Sequence, residues 1–422
     1  MLQKIKKYAT KLGPGIVTGA ADDDPSGVAT YSQTGAQYGN QFLWASFLTF
    51  PLMGTVQEMC ARIGIVTGRG LAGNIRIRFS KTALYLCMVL LFLANTFNIG
   101  ADLAAMAEAG QLIYKHIPFA LYVAFFTIAS LLLQVFIPYK QYAKFIKYLT
   151  FVLLVYVVEV LFVDLDWANI VKSVALPRMD FSKDQILLVS ALLGTTISPY
   201  LFFWQTSQEV EEEINKGKHR IVDRRTGDHA EQIRDMKTDV WSGMFFSNTV
   251  MFFIIAVCSV ALNSNGITTI NTAGDAAEAL RPVAGNFAYI LFAVGIIGTG
   301  LLAVPVLAGS SAYAIAETFR FKEGLYRKWK SAKAFYFVIA LSMIVALGIT
   351  FSGISPIKTL VYSAILNGLV APVMLYFIVS LSSNKKVMGH YVNSKVQKVL
   401  GWTVVAIMAT ASLSTLYYLI FT

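Results

Sequence analysis

Eleven stretches of this 422-residue chain are apolar for long enough to cross a lipid bilayer, and that repetition excludes most folds at once. A helix needs roughly 20 apolar residues to traverse ~30 Å of hydrocarbon. The stretches lie at approximately 12–38, 42–66, 83–111, 118–138, 142–164, 186–211, 238–262, 286–317, 334–352, 356–380 and 399–421. Their length and periodicity predict helix throughout, and no alternating ten-residue pattern suggests a barrel. Charged residues make up 14% of the chain, where a soluble domain carries about a quarter. Too few polar side chains remain to cover a water-facing surface. The expected fold class is an all-α integral membrane protein, a single transmembrane domain over residues 1–422.

The net charge of +11 would suggest nucleic acid as partner in a soluble protein, but its distribution points elsewhere. With the N-terminus in the cytoplasm, only Lys115, Lys172, Arg178, Lys183, Arg281 and Lys358 fall outside, leaving the other 29 of 35 Lys and Arg inside. The inside segments are 1–11, 62–81, 139–147, 212–237, 318–333 and 381–398. That asymmetry predicts a cytoplasmic N-terminus and an extracellular C-terminus. The lipid bilayer is then the expected partner; neither nucleic acid nor an obligatory protein partner is. Lys4, Lys6 and Lys7 imitate the start of a signal peptide, but the apolar run behind them holds three aspartates, which a signal-peptide core does not. Cys60, Cys87 and Cys258 lie in or at the ends of apolar runs and read as packing residues.

Two runs break the helical pattern near mid-depth. The first contains Asp22-Asp23-Asp24-Pro25-Ser26-Gly27, the sixth Gly194-Thr195-Thr196-Ile197-Ser198-Pro199. Proline removes a backbone donor, and irregular backbone at that depth survives only where protein or a water-filled cavity satisfies the freed groups. The breaks are five spans apart. They would therefore occupy equivalent places in two five-helix halves, about 12–164 and 186–380, with an extra helix at about 399–421. An odd number of spans per half inverts the second half, and paired broken helices in inverted halves point to a transporter's midplane site. The plainer reading is a pair of proline kinks.

A charged residue at the bilayer centre costs roughly 2.5–3.5 kcal/mol, so three consecutive aspartates need an offset. The first, third, sixth and eighth runs hold no Lys or Arg in their cores, which leaves a bound cation or a proton. Asp24 is the best candidate; Asp22 and Asp23 either line an ion path or cap helix ends. Ser198, Phe202, Gln205 and Glu209 recur at helical spacing. Serine and amide oxygens beside a carboxylate suit hard cations such as Mg2+, Ca2+ or Mn2+, with backbone carbonyls near Gly27 and Thr195 able to add more. The plain alternative is that Ser198 and Gln205 bond neighbouring helices. Asp102 and Glu108 in the third run read equally well as an ion path or as polar packing. Glu159 in the fifth is weaker. Glu209 and Glu211 to Glu213 read as a solvated acidic face, or more sharply as an exit funnel. His116, His219, His229 and His390 all sit in loops or at helix ends, which disfavours an imidazole metal site. Neither a cofactor motif nor a catalytic constellation is present, so an enzyme is not expected.

Several of these residues also resemble a known family. Gly13-Pro14-Gly15 followed by Asp24-Pro25-Ser26-Gly27 resembles the first helix of the Nramp family of divalent-metal transporters, which has Asp-Pro-Gly-Asn there. Ala61 to Arg69 and Gly194 to Tyr200 are similar to its second and sixth helices, and with the span count the resemblance covers essentially the whole chain. It implies a LeuT-like fold of two inverted five-helix repeats plus one helix, with helices 1 and 6 broken at the midplane. It also implies metal import into the cytoplasm across a bacterial plasma membrane. By position Asp24 would be the coordinating carboxylate and the Thr195 carbonyl a ligand. The departures matter. Gly27 stands where the family has a metal-binding asparagine, Ser198 where it has methionine, and Tyr200 where it has histidine. Asp102-Leu103-Ala104-Ala105 lacks the second carboxylate of Asp-Leu-Ala-Glu.

Methionine sulfur favours softer ions, so serine removes that preference. A roomier oxygen-lined site suits an ion that gives up water reluctantly, which is Mg2+. The pattern is similar to the Nramp-related magnesium transporters. The expectation is an alternating-access importer of hydrated Mg2+, with Mn2+ a second candidate, without obligatory proton coupling and without a cofactor. The rivals are a proton-coupled Mn2+ or Fe2+ importer, an amine or amino-acid transporter of the same fold, and a metal sensor.

Overall fold

Proline decides where two of the helices stop. The computed structural model describes residues 13–137, 163–218, 229–281 and 285–421, with 154, 157, 158, 160 and 161 between the first two blocks. Most of the fifth apolar run, with Glu159, lies outside the described residues, as do Lys4, Lys6, Lys7 and His219. Helix α1 (Pro14–Asp22) ends at the first break and α2 (Pro25–Tyr38) begins beyond it. The next helices are α3 (Trp44–Thr67), α4 (Lys81–Ile113) and α5 (Phe119–Phe136). At the second break α6 (Lys183–Thr196) gives way to α7 (Pro199–Asn215). There follow α8 (Ala230–Ala261), α9 (Ala288–Phe319), α10 (Lys333–Thr350), α11 (Pro356–Ser382) and α12 (Lys395–Phe421).

The two breaks have the same construction. Asp23 and Ile197 close the first half-helices at φ/ψ of −86/51 and −112/60, and Asp24 and Ser198 then run extended at −67/172 and −81/129. A residue before proline is driven out of the α region, and proline at the first helical position loses only an N–H that would be idle anyway. The sequence Asp-Pro or Ser-Pro therefore both ends one helix and starts the next.

Among the described residues eight helices are long and apolar enough to cross a membrane, the α6–α7 pair counting as one. The polar content of α3, with Gln57, Glu58 and Arg62, and the shortness of α1 and α2 keep the first two runs off that count. Ten of the eleven expected runs are thus helical among the described residues, and the fifth lies mostly outside them. Helices also outlast their apolar runs: α7 continues to Asn215 and α8 begins at Ala230 rather than near 238. The connection between the fifth and sixth runs carries a short helix, Trp167–Ala175.

Packing places the broken helices at the centre. The α6–α7 span is 83% buried in its most apolar window, whereas α5 and α12 are 22% buried and present most of their surface to lipid. Helices α1 and α2 lie on α8, and α7 lies on α3. This reciprocity, first span on seventh and sixth on second, is what two inverted five-helix halves require. Glycine makes the closest crossings. A Cβ on Gly19 would sit 2.3 Å from the Gly243 carbonyl oxygen, and one on Gly194 would sit 2.4 Å from the Gly368 nitrogen. The α1–α8 and α6–α11 contacts are therefore backbone against backbone.

Candidate functional site at the two helix breaks

Asp24 caps α2 from within the membrane. Its Oδ1 accepts from the Gly27 backbone N–H at 2.8 Å and from Ser26 Oγ at 2.6 Å, satisfying donors at the start of the half-helix. Its Oδ2 is less committed. It accepts from Asn98 Nδ2 of α4 at 3.0 Å and lies 3.4 Å from the Tyr200 hydroxyl, which donates to the Ala21 carbonyl at 2.8 Å. Asn98 is held in turn by Ser363 of α11, whose hydroxyl donates to Oδ1 at 2.8 Å. One carboxylate oxygen thus builds the break, and the other faces a shell drawn from α4, α7 and α11.

The second break comes alongside. Thr195 Oγ1 lies 3.3 Å from Ser26 Oγ, and a Cβ placed on Gly27 would meet Thr195 Oγ1 and the Asp22 carbonyl oxygen at 3.3 Å each. A side chain at Gly27 would therefore crowd the two breaks, which approach each other closely there. Ser198 Oγ donates to the carbonyls of Thr195 at 2.7 Å and Gly194 at 2.9 Å, tying off the end of α6. Its hydroxyl hydrogen is spent locally, while its oxygen lone pairs remain acceptors.

Asp22 and Asp23 turn the other way, toward α8. Ser247 Oγ lies 2.5 Å from Asp22 Oδ2 and 3.2 Å from Asp23 Oδ1. Asp22, Asp23 and Asp24 are 0, 0 and 1% exposed, and Asp102 is 0%. Among the described residues no Lys or Arg forms an ion pair with any of the four. Asp22 Oδ1, Asp23 Oδ2 and both oxygens of Asp102 have no hydrogen-bond partner among the described residues.

Other expected residues fall elsewhere. Gln205 does not join Asp24. It sits seven residues beyond Ser198, roughly 10 Å along α7, where it accepts from Thr18 Oγ1 at 2.5 Å and donates to Glu209 at 2.8 Å. This bonds α1 to α7, the neighbour-helix role left open from the sequence. Glu108 accepts from the Ala273 N–H at 3.0 Å and anchors a short helix, Ala273–Ala277, at the end of α4. The solvated acidic face is not found. Glu209, Glu211 and Glu213 are buried; Glu211 accepts from the Leu325 N–H at 2.7 Å and from Tyr313, and Glu213 pairs with Lys218. A cavity of about 320 Å³ on the Lys- and Arg-rich face is lined by Arg76, Glu211, Glu317 and Glu323 among others. Burial, with Glu317 and Glu211 nearby, pushes the Glu323 carboxyl well above the usual carboxylate range.

Sequence reasoning missed Asn98, Ser363 and Ser247. Each is an uncharged polar residue in a largely apolar helix, with its partner far along the chain. It also missed Asp239, which caps α1 by accepting from the N–H groups of Gly13, Gly15 and Ile16 at 2.8, 2.6 and 3.2 Å.

Comparison with known proteins agrees with this geometry. The family described as Natural resistance-associated macrophage protein-like, Nramp, matches residues 15–418. The divalent metal cation transporter MntH of Pectobacterium carotovorum is 26% identical over 407 residues, 95% of this chain and 92% of that protein. A manganese transporter of Eremococcus coleocola has the same fold at a TM-score of 0.76 and 18% identity, over 98% of this chain and 87% of that one. MhsT, solved in complex with L-phenylalanine, shares the fold more distantly, with a TM-score of 0.51 at 12% identity over 96% of this chain and 98% of that one. Near-complete coverage by the family, together with the paired breaks, places the chain in the Nramp family of divalent-metal transporters.

Proposed function

We propose that this transporter imports Mg2+ in largely hydrated form, held between the two breaks with Asp24 as its charge anchor. The observation that carries the reading is the set of idle acceptors flanking the breaks. Among the described residues Asp22 Oδ1 and Asp23 Oδ2 on the α8 side and both Asp102 oxygens on α4 are buried without hydrogen-bond partners. Water bound to a cation turns its hydrogens outward, so a hydrated ion satisfies acceptors and offsets carboxylate charge together. Mg2+ usually keeps several waters and few direct protein ligands. Among the described residues no three Asp, Glu, His or Cys side chains converge to hold a bare ion. Asp24 Oδ2, the Ser198 oxygen and the Thr195 carbonyl offer only oxygen.

In this reading repeats 12–164 and 186–380 rock about the ion while the helix at 399–421 stays peripheral. The protein lies in a bacterial plasma membrane with its N-terminus in the cytoplasm and its C-terminus outside. Two charges crossing 100 mV gain about 4.6 kcal/mol, at ~2.3 per charge, enough for an inward gradient on the order of a thousandfold without protons. The second reading is proton-coupled Mn2+ or Fe2+ import. Asp102, buried with both oxygens idle, is the observation in its favour, and the relatives named for manganese and for divalent metals support it too.

Uptake into proteoliposomes loaded with a Mg2+-sensitive dye tests the proposal. Wild type should admit Mg2+, and Asp24→Ala should lose at least nine-tenths of the rate while melting within a few degrees of wild type. Wild-type liposomes that admit Mn2+ and exclude Mg2+ would overturn it.

A further inference from the structure

Helix α11 holds Asn367 fully inside the protein, yet neither its Oδ1 nor its Nδ2 has a hydrogen-bond partner among the described residues. An amide offers two donors and two acceptor lone pairs. Leaving all of them idle in a dry place is unfavourable, and a leucine of similar size would be the more stable choice. An amide kept there without protein partners suits a polar guest that comes and goes.

Its direction indicates which guest. At ~100° per residue, Asn367 lies about 40° round the helix from Ser363 and about 60° short of Ala364. Ser363 meets α4 through Asn98, the residue that holds Asp24 Oδ2. On the other side, a Cβ on Gly194 of α6 would touch the Ala364 carbonyl oxygen and the Gly368 backbone. Asn367 therefore points into the wedge between α4 and α6, one turn along from Ser363 and beside Gly194, where the second break begins.

We propose that Asn367 belongs to the cation site as an outer-sphere residue. Its Oδ1 accepts from water bound to the ion, and its Nδ2 donates to other water in the wedge. This rests on the hydrated-Mg2+ reading and gives that site a selectivity device. An ion that keeps its shell needs the acceptor, while Mn2+, which sheds water more readily than Mg2+, depends on it less.

The test compares wild type, Asn367→Leu and Asn367→Asp in proteoliposomes, reading the KM for Mg2+ and for Mn2+, with thermal melting of each metal-free protein. Loss of an outer-shell partner weakens metal handling roughly 10- to 100-fold. Asn367→Leu should therefore raise the Mg2+ KM at least about tenfold, affect Mn2+ less, and melt no lower than wild type, since it breaks no protein hydrogen bond. Asn367→Asp, which keeps an acceptor, should retain Mg2+ uptake. A wild type that carries Mg2+ while Asn367→Leu does so with unchanged KM overturns the Asn367 proposal alone. So does equal loss of both ions with a lowered melting temperature, which marks a structural residue. A wild type that admits Mn2+ but no Mg2+ overturns the magnesium reading, and this proposal falls with it.

Discussion

Ser198 closes the end of α6 and, in the proposed reading, also bears on ion preference. Its hydroxyl ties off α6 on the Thr195 and Gly194 carbonyls, a local bond worth about 1 kcal/mol. In the proposed site its oxygen would serve as a hard ligand. Ser198→Met would exchange that oxygen for a thioether, which favours softer ions. The variant should fold, and Cd2+ should then inhibit Mg2+ uptake at concentrations about tenfold lower than in wild type, one decade for each ~1.4 kcal/mol of affinity gained. Competition assays on both proteins check this. Asp24 and Ser198 were legible in the sequence because proline follows each and their runs are otherwise apolar. Asn98 and Ser363 were not, since an uncharged polar residue in a membrane helix reads as packing until the fold brings it to its partner. Gln205 was misleading for a related reason: it shares a helical face with Ser198, but periodicity gives direction and not depth.

At the scale of elements, the half-helix α1 is held to α8 at two places. Its N-terminus is held by Asp239 of α8 through three backbone N–H groups, and the rest of its contact with α8 is close backbone packing at Gly19 and Gly243. Removing a capping carboxylate typically costs about 1–2 kcal/mol. Asp239→Ala should therefore loosen α1 from α8, with faster hydrogen exchange over residues 13–22 and a melting temperature lower by several degrees. Unchanged exchange in that segment would mean that the glycine crossing alone fixes α1. The two breaks were legible as elements because proline and glycine act locally. Helix ends were not. The acidic run at 209–213 looks solvated in isolation, and only the fold brings Tyr313 and the backbone of Leu325 onto Glu211.

For the whole molecule, the membrane class, the central place of the broken helices and the inverted arrangement follow from hydropathy and from the spacing of two breaks. Orientation rests on the Lys and Arg asymmetry and has a direct check. The three cysteines are buried, so single introduced thiols can be read cleanly. With the N-terminus inside, an impermeant maleimide added to intact cells should label Ser264→Cys, exposed between α8 and α9, and leave Lys330→Cys unlabelled until the membrane is opened. The reverse pattern would invert the assigned direction of transport.

Import of Mg2+ driven by potential alone is the central claim, and one recording tests it most directly. Proteoliposomes carry a Mg2+ dye and a pH dye together, and a potassium gradient with valinomycin sets an inside-negative potential. The account predicts Mg2+ entry that rises with the potential while lumenal pH stays level, and that is abolished in Asp24→Ala. Acidification that tracks metal entry, present in wild type and removed by Asp102→Asn, would contradict it and make the protein a proton-coupled importer.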